Sequence, residues 1–411
     1  MNIKSDLVFY RETGNVVGFI NNANECGSLS QNVATHCLVL MVIGVNSNLK
    51  YSVGWFPTKS TTATDLYAIF WEAVAHLETY CNLKVIASTS DKASSNMKFI
   101  ALHGKDDMVY KTTNLFSPDR EIFFLSDAPH LLKTIRNNLS ASGSKENSRL
   151  LWKNGKNLLW RHVVEVYERD MQNELSKATK LTYNHIHLSS FSVMKVNLAA
   201  QVLSRSVGLI IEEYGGEAAT ETARFIKLVD RFFDCLNVRS LYEGERKRKP
   251  DLMPYTSVDD PRFQFLTEDF LGYIRDWKDQ VDNRQGFNKT ETSKMFLSYQ
   301  TYKGLVITTK AVVEATKYLI QHGVNFVLTN KFCQDPVEEH FGRHRALGRQ
   351  SDNPTVYEFG YQEYKLRLQR SLALQIKPNG NVTRSSKLCE IEIDDTPLKK
   401  KRRNTLVTYK T

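Results

Sequence analysis

The stretch CLVLMVIGV at residues 37–45, followed across an asparagine-rich turn by KYSVGWFP at 50–57, decides the architecture. A half-buried strand alternates apolar and polar residues, whereas an apolar run without a break belongs to a central strand covered on both faces. The run is also too short to cross a bilayer, which takes about 20 residues. Upstream, SDLVFY (5–10) and NVVGFI (15–20) flank RETG (11–14), a hairpin-like turn with Gly14. Downstream, Leu66, Ile69, Phe70, Ala73, Val74, Leu77 and Cys81 recur at helical spacing and predict an amphipathic helix over 62–81. LKVIAS (83–88) returns as a strand that runs out at Asp91, and a short helix is expected over 94–102. EIFFLS (121–126) is the next strand, closed by Asp127, and PHLLKTIRNNL (129–139) the next helix.

Three meandering strands, a crossover helix and further strands make the arrangement of a ribonuclease-H-like α/β fold. Functional groups in open α/β sheets gather beyond the strand ends, where Asp91 lies. The composition then shifts. SASGSKENS (140–148) reads as a polar connector, and residues 150–277 as mainly helical. The helical stripes are Phe191, Met194, Val196, Leu198, Val202 and then Phe225, Leu228, Val229, Phe232. A last long helix over 305–321 stops at Gly323, a common C′ residue. The expected layout is a first part of the α/β domain at 1–140, a helical insertion at 141–290, the rest of the α/β domain at 291–375 and a disordered basic tail at 376–411.

The 411 residues carry a net charge of +10, which favours an anionic partner. Part of that charge sits in ERKRKP (245–250) and KKKRR (399–403); the second reads as a nuclear import signal. No signal peptide or membrane-spanning run is present, so no membrane role is expected. The six cysteines stand singly, with no C-x-x-C pair, which argues against a disulfide framework or structural zinc. No P-loop, Rossmann glycine motif or G-x-S-x-G occurs either.

CQDPVEEHFGRHRALG (333–348) puts Glu338 and Glu339 at the start of a helix. Together with Asp91 and Asp127 these acids are what a two-metal phosphoryl-transfer site requires. Plain readings stand beside that one. Asp335, Pro336 and Glu338 make a capping box, and Asp127 with Pro129 caps its own helix. Asp91 can be a turn residue. Glu338 and Glu339 point about 100° apart, so one of them at most serves a given metal pair. His340 and His344, four residues apart, have zinc-compatible spacing but read as exposed helix histidines.

Seven stretches in order resemble the P-element transposase family, including its THAP-domain relatives. They are NIKSDLVFYRETGNVVGFI, ATHCLVLMVIG, SDKASSN, SDAPHLLKTIRNNL, KLTYNHIHLSSFSVMKVNLAAQVLS, RFFDCLNVRS and QDPVEEHFG, spread over residues 2–354. The resemblance implies a ribonuclease-H-like catalytic domain interrupted by a helical GTP-binding insertion. It implies DNA cleavage and strand transfer by a DDE carboxylate triad with Mg²⁺, with GTP as an assembly cofactor, DNA as partner, a nuclear location and a homo-oligomer. By motif, Asp91 is the second acid and Glu338 the glutamate, both as metal ligands. Lys180, Val196 in VMKV, Asp234 in FFDCLN and the neighbouring Asp335 are the GTP contacts. The family's first acid precedes an xIK, and this sequence starts Met1-Asn2-Ile3-Lys4. That acid is therefore expected beyond Met1, with Asp6 as a candidate substitute. The THAP module and coiled coil are not in the sequence, so it reads as a truncated element, a partial gene model or a domesticated derivative. Two functions follow as expectations: the core of a DNA transposase, or a catalytically inactive nuclear DNA- and GTP-binding regulator.

Overall fold

The computed structural model describes residues 1–10, 14–20, 32–144, 149–172, 179–348 and 353–375. The basic run at 399–403, the whole of the expected tail at 376–411 and residues 145–148 of the expected connector lie outside them. The described residues divide into two units, one covering Met1–Phe359 and the other beginning at Gly360.

Strands β1 (Val8–Tyr10) and β2 (Asn15–Val17) pair antiparallel, as the hairpin reading expects. β3 (His36–Ile43) pairs antiparallel with β4 (Lys50–Thr58), with a register shift at Leu40/Met41. The unbroken apolar run of β3 is explained by its two faces. Cys37, Val39 and Met41 pack with Trp55, Phe341 and Phe359, while Leu38 points to Leu66, Phe99 and Phe124. Helix α1 (Ala63–Thr79) is opened by a Thr62–Asp65 capping box and buries Leu66, Ile69, Trp71 and Val74.

β5 (Ala87–Ser90) leads through α2 (Ser94–Ala101) and the short β6 (Lys111–Thr113) to β7 (Glu121–Ser126). β7 is central, parallel to β5 and antiparallel to β6. Ile122 and Phe124 pack toward α1 and α2. Phe123 and Leu125 face the other way, into the large core shared with α3 (Ala128–Ser140).

The following segment is mainly helical, as expected, but opens with an unforeseen hairpin of β8 (Leu151–Lys153) and β9 (Lys156–Leu158). Its two-residue turn, Asn154-Gly155, has φ of 51° and 76°, the left-handed pair that suits a tight hairpin. Then come α4 (Arg161–Gln172), α5 (Tyr183–Ile186), α6 (Val196–Val202), α7 (Arg205–Tyr214), α8 (Gly216–Leu236), α9 (Glu243–Lys247) and α10 (Pro261–Gln264). A π-helical run, Phe265–Phe270, passes into α11 (Leu271–Asp282), and α12 (Lys289–Lys294) follows.

In α8 the stripe read from the sequence is buried, with Phe225, Val229 and Phe232 essentially inaccessible. The other stripe is corrected. Phe191 and Met194 are each 65% exposed, because a 3-10 turn at Ser192–Met194 and an extended Lys195 break the helical period before α6.

Helix α13 (Tyr299–Gln321) starts earlier than the 305–321 reading and is buried on most sides against β7 and α3. Gly323 takes φ 86° just past its end. α14 (Asp335–Leu347) and α15 (Val356–Gln375) close the described chain. Among the described residues no helix is long and apolar enough to cross a membrane.

Candidate carboxylate site at the strand ends

β5 and β7 run side by side from Ala87↔Phe123 to Ser90↔Ser126. Asp91 and Asp127 are the next residues on each, and the Asp127 N–H donates to the Ser90 carbonyl at 3.0 Å. Two acids far apart in sequence are therefore neighbours at one sheet end.

Their carboxylates do different things. Asp91 Oδ1 accepts from the Ala93 N–H at 2.9 Å and from Asn96 Nδ2 at 2.7 Å, a local turn that holds the group in one orientation. No hydrogen bond reaches its Oδ2 among the described residues. Asp127 is 5% exposed and uses both oxygens. Oδ2 accepts from His130 N–H at 2.9 Å and caps α3, and Oδ1 accepts from Gln334 N–H at 2.8 Å. Burial pushes Asp127 up to about 6. The two N–H donors oppose that rise, and the charges of Asp335 and Glu338 add to it.

The Gln334 bond fixes the start of α14. The capping box expected from Asp335 and Glu338 is not formed: the helix begins at Asp335, and the N-cap is Gln334, with no side-chain capping bond. Asp127 takes over that task from a distant strand. Glu338 is consequently not used as a cap; it is exposed and has no ion-pair partner among the described residues. Glu339 has two, Lys50 Nζ at 3.0 Å and Arg343 Nη2 at 2.7 Å.

The start of the chain reaches the same end of the sheet. The Met1 ammonium donates to the Cys37 carbonyl at 3.0 Å. Burial lowers its pKa, the charges of Cys37 and Asp91 oppose that, and Arg345 adds to it. The imidazole of His130 is likewise lowered by burial and by Lys133 and Lys92, with Asp91 acting in the opposite sense. Asp6 is exposed and precedes β1, and no hydrogen bond or ion pair ties its side chain to these acids among the described residues.

His340 and His344 were expected to be exposed and are not, at 2% and 0%. Their Nε2 atoms lie 3.2 Å apart, and His344 stacks on Phe359 with centroids 4.2 Å apart. The inner face of α14 is covered by a residue beyond the helix itself, which helical spacing alone does not reveal.

Of the residues assigned to GTP, Asp234 alone lies in the large cleft of the helical segment. Asp234 lines a cleft of 1060 Å³ in the helical segment, with Asp230, Arg231, Lys249, Arg205 and Arg224 around it. Burial pushes it up to about 6, and the Lys249 ammonium at 2.6 Å restrains that rise. Lys180, Val196 and Asp335 are not in this lining. Lys180 is exposed ahead of α5, Val196 is half-buried at the first position of α6, and Asp335 lies 4.0 Å from Arg239. The sequence reading gave no role to Lys92 or to the clamp made by Asp127. Only Asp-x-Pro after a strand signalled the clamp, and only as a cap.

Residues 1–104 match a family model described as TNP-like, RNase H N-terminal domain, and residues 129–249 one described as TNP-like, GTP-binding insertion domain. The chain is 28% identical over 284 residues to the Transposable element P transposase of Drosophila melanogaster, covering 68% of this chain and 34% of that protein. It is 26% identical over 234 residues to the DNA transposase THAP9 of Homo sapiens, covering 54% and 25%. It thus spans about a third or less of the length of these relatives. In fold it matches the Drosophila P element transposase strand transfer complex with a TM-score of 0.70 at 24% identity, over 90% of this chain and 75% of that one.

Proposed function

Because this chain belongs to the P-element-like transposase family, with an RNase H-like domain and a GTP-binding insertion domain, we propose that it is the core of a DNA transposase that cuts and joins DNA by DDE-type chemistry. The observation that carries this reading is the clamp between Asp127 and Gln334. It ties the start of α14, and with it Glu338, to the strand end that holds Asp91.

The donors fit a hard divalent cation such as Mg²⁺, since they are carboxylate oxygens. Asp91 offers Oδ2 and Glu338 an uncommitted carboxylate, whereas Glu339 is held in ion pairs. Bound there, the metal would activate the attacking hydroxyl and stabilise the leaving oxygen of a phosphodiester. The protein's own part is positional. The turn at Ala93 and Asn96 orients Asp91, and buried Asp127 keeps two segments in register without offering an oxygen to a ligand. GTP binding to the insertion, with Asp234 selecting guanine through its N1 and N2 donors, belongs to the same proposal. So does action on DNA in the nucleus.

The decisive experiment measures Mg²⁺-dependent nicking of DNA by the chain and by Asp91→Asn. Activity should fall at least about 100-fold, and unchanged nicking rejects the assigned site. A second readout needs no turnover. Mg²⁺ at 100 times its Kd should stabilise the wild type by about 2.7 kcal/mol and leave the variant unmoved. For the nucleotide, GTP and ATP titrations on the wild type and Asp234→Ala serve; equal affinity for both counts against guanine recognition.

One observation favours a second reading, an inactive DNA- and GTP-binding regulator. Asp127, the second acid at the strand ends, has both oxygens engaged by backbone N–H groups. Nicking absent from the wild type, with DNA binding retained, selects that alternative.

A further inference from the structure

Next to Asp91 in sequence, Lys92 is 8% exposed, and it has no carboxylate partner within ion-pair distance among the described residues. Its ammonium donates to Thr134 Oγ1 at 2.6 Å and, at 3.4 Å, to Thr301 Oγ1. Burying an ammonium against hydroxyls alone is a costly way to brace two helices; a methionine or leucine would do that better.

The group lines a pocket of 270 Å³ between α3 and α13. Its charged lining is Lys92 and Arg149, with His130 beside them, and the remainder is threonine, serine, asparagine and glutamine. No carboxylate contributes to that lining. An ammonium has three donors, so Lys92 retains capacity toward the space. The volume admits one phosphate group with some water, at about 30 Å³ per water. The structure keeps the lysine's path clear. Gly304 of α13 lies against its stem, where a Cβ would sit 3.1 Å from Lys92 Cδ and 2.8 Å from Leu131 Cδ2. Asp91 is close enough for its charge to act on His130, so pocket and carboxylate end adjoin.

We propose that this pocket is a phosphate site in which the remaining Lys92 ammonium donor, with the charge of Arg149 beside it, seats one backbone phosphate of a DNA strand while a neighbouring phosphodiester faces Asp91. The DNA part of this statement rests on the transposase reading; the anion part rests on the lining alone.

The test is fluorescence anisotropy of a short DNA duplex over a salt series, with the wild type, Lys92→Met and Lys92→Arg. Lys92→Met should lower the slope of log K against log salt by about 0.7–0.9, the share of one phosphate contact, and Lys92→Arg should restore it. Moving a single neutral methylphosphonate along the strand should reveal one position that weakens wild-type binding and does not weaken Lys92→Met binding. An unchanged slope in a Lys92→Met protein with a wild-type urea midpoint overturns the proposal. Inorganic phosphate, followed by calorimetry, forms a second arm. Saturable binding lost in Lys92→Met, with no sensitive methylphosphonate position, makes free phosphate the ligand and overturns the DNA assignment. A wild type that binds no DNA removes the transposase reading instead, and the inorganic phosphate arm alone then decides whether the pocket is an anion site.

Discussion

The sheet and the helical insertion carry their polar side chains in different ways. At the sheet, the ends of β5 and β7 put Asp91 and Asp127 side by side, because parallel strands in register finish together. In the insertion, Asp234 lies within α8, Val196 starts α6 and Lys180 precedes α5, and the cleft that Asp234 lines includes neither of the other two. Strand ends converge by geometry, so periodicity in sequence leads straight to a site. Helix surfaces diverge, and which residues meet depends on packing that sequence spacing does not encode.

On that contrast, the insertion owes its stability to packing and the sheet end to polar clamps. The largest effect should come from Phe232→Ala. Phe232 is inaccessible and stacks on Phe270 with centroids 4.2 Å apart and planes 12° apart. Losing it should cost about 3–5 kcal/mol in urea unfolding, with Mg²⁺-dependent chemistry at the strand ends retained in the folded fraction. Loss of Mg²⁺ binding in folded Phe232→Ala would break the separation between the two regions.

Next is Asp127→Ala, which orphans two backbone N–H groups and should cost about 2–4 kcal/mol. Its pH dependence has a definite sign. The folded value of about 6 lies above the unfolded value of about 3.9, so the folded state binds the proton more tightly. Relative to Asp127→Asn, the wild type should therefore gain stability as pH falls from about 6 to about 4, by up to about 3 kcal/mol, and lose it as pH rises through that window. Unfolding midpoints of both proteins across pH 4–8 measure this, and parallel curves would show that Asp127 does not titrate as its burial demands.

What the sequence disclosed follows the same division. The unbroken run of β3, the buried EIFFLS strand and the Asp-x-Pro cap of α3 were legible, because strand burial and capping are local rules. β6 was missed because Lys-Thr-Thr has no apolar pattern. The β8–β9 hairpin was missed although Asn154-Gly155 announces it, since its strands are only three residues each. The capping box that stands as the plain reading of Glu338 does not form, because the start of its helix is set by Asp127, 207 residues from Gln334. Burial of Lys92, His340 and His344 likewise comes from Gly304, Thr301 and Phe359, which no window around those residues contains.

A smaller effect tests the missed hairpin. Gly155 holds φ at 76° with open space where a Cβ would be, so Gly155→Ala meets backbone strain and no clash. It should cost about 1–2 kcal/mol. A neutral result would mean that the turn relaxes and that the hairpin does not anchor the insertion.

The smallest stability change should come from the two adjacent glutamates, and it is the one that most sharpens the difference between a clamp and a ligand. Glu339 is about half exposed and paired with Lys50 and Arg343. Such surface pairs contribute at most about 1 kcal/mol, so Glu339→Gln should be nearly silent in unfolding and silent in Mg²⁺ binding. Glu338 neither caps α14 nor pairs with a cation among the described residues. Glu338→Gln should also leave stability within about 0.5 kcal/mol, yet abolish the Mg²⁺-dependent stabilisation. Two neighbours on one helix, with equal cost to the fold and opposite consequence for the metal, separate the roles that sequence alone left open. If Glu339→Gln instead removes the Mg²⁺ response while Glu338→Gln keeps it, the ligand assignment moves one residue along the helix and the ion pair to Lys50 becomes a resting state that the metal displaces.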